Sequence, residues 1–147
     1  MQLIKDASAE KLRGAYYTPP AIASFILHWG INGGQDADIL EPSCGDGVFL
    51  ECMRDENMLF NTVTAIEYEA AEANKARTLG LHDSEVINQD FHRFCLDTDK
   101  RFDLVVGNPP FIRYQYYDPA QQKLADEIFN NAKLKRTKLT NAWVTFV

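Results

Sequence analysis

Cysteine is scarce in this chain, and its count is odd. Cys44, Cys52 and Cys95 show no C-x-x-C spacing, which excludes a disulfide framework or a zinc knuckle and points to a reducing, cytoplasmic setting. No apolar run approaches the roughly 18 residues that span a bilayer. Met1 to Lys11 is polar and mixed in charge, unlike a secretory signal. The three histidines, His28, His82 and His92, lack the partner spacing of a triad or a metal site, so no metal is expected and surface or helix positions are. Positive charge is also short, with a formal net of −6. That shortage is uneven: from Asn131 to Val147 stand Lys133, Lys135, Arg136 and Lys138 with no acidic residue. The remainder carries −10, as suits a domain that holds a cationic ligand and borrows its grip on an anionic partner from elsewhere; a solvated basic loop is the other reading of the stretch.

What is present describes one globular domain: 147 residues, 46% hydrophobic and 24% charged. Pro19-Pro20 opens an amphipathic helix with Ile22, Phe25, Ile26 and Trp29 on one face and Gly30 at its end. After Asn32-Gly33-Gly34 come a strand over Asp38 to Glu41, a glycine loop and a helix from about Asp46 to Arg54. A strand over Thr62 to Glu67 precedes a helix from Glu69 to about Leu79. Strands over Glu85 to Asn88 and Phe102 to Gly107 follow. Apolar strands alternating with helical stretches predict an α/β fold whose parallel sheet is flanked by helices. Ligands of such sheets sit beyond the carboxyl ends of the strands.

The loop Glu41-Pro42-Ser43-Cys44-Gly45-Asp46-Gly47-Val48-Phe49-Leu50 falls at such an end. Gly45 and Gly47 allow a tight turn and close backbone approach. A dinucleotide site would carry a third glycine where Leu50 stands, which disfavours a nicotinamide-linked oxidoreductase. Glu41 suits a ligand bearing positive charge, such as S-adenosylmethionine with its sulfonium and ammonium groups. An ordinary glycine turn would look the same locally. Glu67 ends the second strand 20 residues after Gly47, the spacing at which an acid accepts from ribose hydroxyls. Asp90 could accept from an adenine amine with Phe91 over the ring, or could simply cap a helix. Cys44 has no neighbour that would activate it. Tyr114, Tyr116 and Tyr117 read either as a stacking platform for displaced bases or as loop packing against the sheet.

The most specific signal is Asn108-Pro109-Pro110-Phe111, directly after an apolar strand. An exocyclic base amine is a poor nucleophile because its lone pair is delocalised into the ring. The Asn108 side-chain oxygen and the Pro109 carbonyl, each accepting one of its hydrogens, would favour a pyramidal nitrogen. The prolines stiffen the loop and keep that carbonyl aimed. Phe111 offers a face for a flipped-out base.

With Gly14-Ala15-Tyr16-Tyr17-Thr18-Pro19-Pro20 placed before the glycine loop, the chain resembles the gamma-class DNA amino-methyltransferases of restriction–modification systems. The resemblance runs from about Gly14 onward. It implies a Rossmann-like class I S-adenosylmethionine-dependent methyltransferase fold acting on adenine N6 of double-stranded DNA, with cytosine N4 left open by the chemistry alone. It implies Tyr17, Thr18, Glu41, Ser43 and Gly45 near the methionine moiety, Glu67 with Tyr68 at the ribose, and Asp90 and Phe91 at the adenine. Asn108, Pro109, Pro110 and Phe111 fall at the target base, with Asn108 also bordering the cofactor. Tyr68-Glu69 departs from the aliphatic-Asp pair of the family.

Two other readings stand beside this one. A protein glutamine-N5 methyltransferase would use Asn-Pro-Pro on a side-chain amide, but usually carries a helical domain first and lacks Tyr-Thr-Pro-Pro. A non-catalytic domain that binds cofactor or a partner is the other. Residues 1–147 are expected to be a partial catalytic domain of about four strands, with residues 1–30 as an N-terminal segment and 31–147 as the cofactor-binding and catalytic half. The target-recognition domain is expected to be absent and the piece inactive alone. Asn141 to Val147 reads as the start of a buried helix capped by Thr140 or Asn141. The open sheet edge invites self-association, and no membrane association is expected.

Overall fold

The computed structural model describes residues 17–31, 36–135, 137 and 140–146. Asn32-Gly33-Gly34, the Gly14-Ala15-Tyr16 part of the N-terminal motif, Arg136, Lys138 and Val147 lie outside these. Two compact units divide the chain: Thr18–Asn108, and Pro109 onward together with the first seventeen residues, of which only Tyr17 is described.

The first unit holds α1 (Pro20–Ile31), β1 (Asp38–Glu41), α2 (Val48–Asp55), β2 (Thr62–Glu67), α3 (Ala70–Thr78), β3 (Ser84–Asn88), α4 (Phe91–Asp97) and β4 (Leu104–Val105). The sheet is parallel throughout in the order β3-β2-β1-β4. The chain steps outward from β1 to β3, then returns to pair β4 on the other side of β1. The strand order therefore reverses at β1, and the crevice beyond the carboxyl ends of β1 and β4 is where such sheets take ligands. Register places Glu41 beside Ala65 of β2 and Glu67 beside Asn88 of β3.

Alternation along the strands divides two apolar layers. Ile39, Val63, Ala65 and Val106 pack with Leu27 of α1 and with Phe49, Leu50 and Met53 of α2. Leu40 and Ile66 point the other way, onto Phe94 of α4, with Phe91 and Phe102 beside them. Glu41 lies two residues after Ile39, and Glu67 two after Ala65, so both carboxylates emerge on the first of these faces.

The inward face of α1 differs from the one expected. Ala23 and Leu27 are fully buried, whereas Ile22, Phe25 and Trp29 are exposed, the last two by 69% and 78%; Ile26 is partly buried. Small residues decide this: a Cβ on Gly30 would sit 3.1 Å from Leu104 Cδ1, so the helix lies close to the sheet on its Ala23–Gly30 side. Gly30 is accordingly inside α1 rather than at its end. The fourth strand is shorter than expected. Only Leu104 and Val105 pair, flanked by bonds from Asp103 N to Asp38 O and Val106 N to Leu40 O. Phe102 belongs instead to the layer around Phe94.

The second unit contains a 3₁₀ turn (Tyr114–Tyr116), α5 (Pro119–Asn131) and a 3₁₀ turn (Ala142–Thr145). Within this unit, Tyr114 and Tyr117 are buried with Ala125 of α5. Arg113 forms an antiparallel bridge with Asn141. The segment expected to open a helix is a 3₁₀ turn instead, with the Asn141 side chain accepting from Trp143 N. Among the described residues, no helix is long and apolar enough to cross a membrane.

Candidate functional site

The glycine loop is anchored from the neighbouring strand. Cys44 N donates to Ile66 O (2.9 Å), Gly47 N to Cys44 O (2.9 Å), and Gly45 N to Glu67 Oε2 (2.8 Å). The other Glu67 oxygen accepts from Glu69 N at 2.7 Å. Glu67 is thus a brace between the loop after β1 and the loop after β2. A carboxylate has about four lone-pair sites, so two backbone donors leave capacity for hydroxyl donors. Burial raises its pKa, while the bonds from Glu69 and Gly45 lower it.

The two glycines divide the work. Gly47, at φ +98°, has a backbone conformation that side chains rarely adopt, and an added Cβ would crowd Ala76 Cβ and Cα at 3.2 and 3.3 Å as well as Leu79 Cδ1. It serves close packing between loop and helix. Gly45, at φ +57°, faces open space, with no atom within 4 Å of an added Cβ. Gly45 is the position that leaves a ligand room.

Glu41 is the least expected member. It is 1% exposed, and its Oε2 has no hydrogen-bond partner among the described residues. Burial, followed by the charges of Glu67 and Asp46, pushes its pKa to about 8. A buried acceptor without a donor is costly, about 1–3 kcal/mol, and a cationic or donor group would relieve that cost. Gly107 brings the end of β4 against the same spot: its added Cβ would lie 3.7 Å from Glu41 Cγ and 3.4 Å from Pro42 Cδ. Ser43 Oγ reaches Asn108 O at 3.5 Å, the outer limit of a hydrogen bond. Glu41, Ser43 and the backbone of Asn108 therefore converge at the point where the strand order reverses.

The remaining expected residues are placed as follows. Thr18 is half-buried ahead of α1, and Tyr17 and Tyr68 are exposed. Asp90 caps α4, its Oδ1 accepting from His92 N (2.8 Å), Arg93 N (3.4 Å) and His92 Nδ1 (3.0 Å). Phe91 follows at the first position of that helix, half-buried. Pro109 and Pro110 are half-buried and Phe111 is exposed. His92 takes a helix position, in α4, and is buried there. Cys44 is buried, and its thiol is held far above the usual range by burial and by Glu41 and Glu67, as suits an unreactive thiol. Asn88 carries a task the sequence did not announce: its Nδ2 donates to Glu67 O and Tyr68 O, both at 2.8 Å, which holds the loop after β2. An asparagine ending a strand was the available signal.

A buried acceptor, an open glycine and a braced acid suit a small ligand with a cationic group and hydroxyls. The chain is 32% identical over 121 residues to the Type II methyltransferase M.CvrRI of Paramecium bursaria Chlorella virus XZ-6E, a match covering 76% of this chain and 30% of the relative. With the Type II methyltransferase M.AccI of Acinetobacter calcoaceticus it shares 27% over 135 residues, 90% of this chain and 24% of the relative. The chain thus spans less than a third of the length of these relatives. A solved structure from Listeria monocytogenes, assigned to the class I S-adenosylmethionine-dependent methyltransferases, superposes with a TM-score of 0.66 over 97% of this chain and 43% of that one. At 14% identity it shows the fold, a Rossmann-like parallel sheet flanked by helices. The family model described as N-6 DNA Methylase matches residues 2–147, and the chain belongs to that family.

Proposed function

We propose that this chain supplies the cofactor pocket and the catalytic loop of an S-adenosylmethionine-dependent DNA methyltransferase directed at adenine N6. The observation that carries the reading is the buried, unpartnered Glu41 Oε2 beside Gly107 and Asn108 at the reversal of strand order. The family, which contains Type II methyltransferases among its relatives, supports a DNA substrate.

S-adenosylmethionine supplies an electrophilic methyl group on a sulfonium. The chain's residues would hold and aim it. Glu41 takes the cationic amino-acid end, with Tyr17, Thr18, Ser43 and the open side of Gly45 around it. Glu67 accepts from the ribose hydroxyls while bracing the loop, and Tyr68 flanks that position. Asp90 and Phe91 address the adenine moiety. At the target base, the Asn108 side chain and the Pro109 carbonyl would accept the two amine hydrogens, which would favour a pyramidal nitrogen with an available lone pair. Phe111 stacks on the extruded base; Pro110 keeps the loop stiff. No bond to a ring carbon forms, so no nucleophilic cysteine is required.

The test uses the longest gene product that contains these residues, with labelled cofactor and mixed duplex DNA. N6-methyladenine is the expected product. Asn108→Ala should lower turnover by roughly two decades or more, with nearly unchanged cofactor affinity, because a preorganised acceptor is lost at the reacting nitrogen. Normal turnover in that variant, or methylglutamine in a protein substrate with unmodified DNA, would reject the reading.

A further inference from the structure

The second unit has an open groove that no step of the proposed reaction uses. It lies between the 3₁₀ turn and the start of α5, encloses about 660 Å³, and is lined by Tyr116, Gln115, Gln122 and Lys123 among others. That volume lies within the usual range for small-ligand sites, about 300–1,000 Å³. We infer that this groove binds one unpaired nucleotide of a DNA strand, with its base on the Tyr116 ring and its phosphate on the Lys123 ammonium. The inference rests on the DNA reading above and adds a subsite to it.

Three observations carry it. First, the wall is rigid. Tyr114 is buried, and its hydroxyl donates to Asp126 Oδ1 at 2.9 Å. Gln122 Nε2 donates to Tyr117 O at 3.0 Å, and Asp118 caps α5 through Ala120 N and Gln121 N, both at 2.8 Å. The turn and the helix are thereby locked together. Second, three of the lining groups are uncommitted, whereas Gln122 and Asp126 are engaged by the bracing bonds. Tyr116 is 60% exposed, and the exposed side chains of Lys123 and Gln115 have no hydrogen bond or ion pair among the described residues. A bare aromatic face, a free ammonium and a free amide are what base stacking, phosphate neutralisation and base-edge hydrogen bonding require. Third, the charge is right for the stretch from Pro109 onward. Residues 109–147 hold six basic and three acidic side chains, whereas residues 1–108 hold nine and eighteen. An anionic strand would be attracted by residues 109–147 and repelled by residues 1–108.

An unpaired base is specified because stacking on Tyr116 needs a free π-face, which a base inside a duplex does not offer. A target base leaving the helix disturbs its neighbours, so unpaired nucleotides occur where the enzyme acts.

The whole chain is titrated at low salt with a fluorescein-labelled single-stranded 12-mer, read by anisotropy, and irradiated with the same oligonucleotide carrying 5-iodouracil. The expected photoproduct maps to the tryptic peptide Tyr114–Lys123, at Tyr116. Tyr116→Ala should weaken binding about five- to hundredfold, and Tyr116→Phe should restore it. Lys123→Ala should weaken binding and reduce the magnitude of the slope of log affinity against log salt by about 0.7. Both residues are exposed, and unchanged circular dichroism verifies folding. Adducts elsewhere, wild-type affinity in both alanine variants, or equal competition by the fully paired duplex would overturn the groove while leaving DNA methylation standing. No oligonucleotide binding at all, with N6-methyladenine still formed by the longest gene product, would also remove it. Failure of both binding and methylation would remove the DNA reading itself.

Discussion

The two units solve opposite problems with similar material. The first, Thr18–Asn108, turns polar groups inward: Glu41 is fully buried, Glu67 braces two loops, and Asp90 caps a helix at the sheet's edge. The second, from Pro109 onward, turns its functional chemistry outward, with Tyr116 and Lys123 exposed over a small core of Tyr114, Tyr117 and Ala125. A buried carboxylate is sensitive to burial and charge, so the first unit suits recognition of a small cation. An exposed aromatic beside a lysine is tolerant, so the second suits a flexible polyanion. The acidic and basic halves of the sequence follow this division, which is why net charge alone misleads.

If the first unit depends on its deep core and the second on local bracing, core truncations should separate them. Phe49→Ala, in the layer of Leu27, Ile39 and Met53, should cost about 3–5 kcal/mol and abolish cofactor binding. Guanidinium melts read by circular dichroism check this. A loss below about 1 kcal/mol would mean that the core is loosely packed. Tyr114→Phe, in the second unit, removes the bond to Asp126 and should cost only about 1 kcal/mol.

Much of the first unit was legible in the sequence. β1 and β2 have the expected bounds because short buried strands carry continuous apolar runs between turn signals. The glycine loop, Glu67 and Asp90 stand at strand ends as read. What failed was inference from side-chain size and charge. Ile22, Phe25 and Trp29 looked like the inner face of α1, but Ala23 and Gly30 permit closer approach and so decide which side packs. Glu41 reads as a strand-end carboxylate suited to a cationic ligand, and its near-complete burial was not legible. α5 was not assigned, although Leu124, Ala125, Ile128 and Phe129 recur at helical spacing, and of α4 only its cap, Asp90, was considered. The readable sign of α5 was Asp118-Pro119, a cap followed by proline at the first helical position. Asn108, Pro109, Pro110 and Phe111 were legible as a motif, since prolines after an apolar strand have few structural reasons to cluster.

The buried acid gives the first unit a pH dependence. The folded chain holds the Glu41 proton up to about pH 8, whereas the unfolded chain loses it near its ordinary 4.5. Its contribution to stability is therefore fully present below about pH 4.5 and is lost as pH rises to about 8. Glu41→Gln should flatten this part of the profile and raise the melting temperature at pH 8. Cofactor binding has the opposite sense. A cationic group favours the ionised acid, so wild-type affinity should climb between pH 6 and 8 and binding should release a proton. Calorimetry in buffers of different ionisation enthalpy measures the release, and a release undiminished in Glu41→Gln would place the cation elsewhere.

A smaller effect is expected at Glu67, where alanine removes both a ribose acceptor and a loop brace. Affinity for S-adenosylmethionine should fall by one to two decades, about 1.5–3 kcal/mol. Unchanged affinity by calorimetry would exclude Glu67 from the pocket and leave it the bracing role alone.

The smallest effect sharpens the contrast most, because each unit has one aspartate in the same local job. Asp90 accepts from two backbone N–H groups at the start of α4, and Asp118 does so at the start of α5. As pure caps, each should cost about 1 kcal/mol on truncation to alanine. Serine, itself a good cap, should recover most of that loss at either position. If Asp90 also accepts from the cofactor's adenine, Asp90→Ser will regain stability without regaining affinity. Asp118→Ser should regain stability and leave cofactor affinity unchanged throughout. The readouts are thermal melts for the cap and calorimetric titration for the cofactor, on all four variants. Full recovery of affinity in Asp90→Ser would reduce Asp90 to a helix cap and shift the recognition of adenine to Phe91 and the backbone around it.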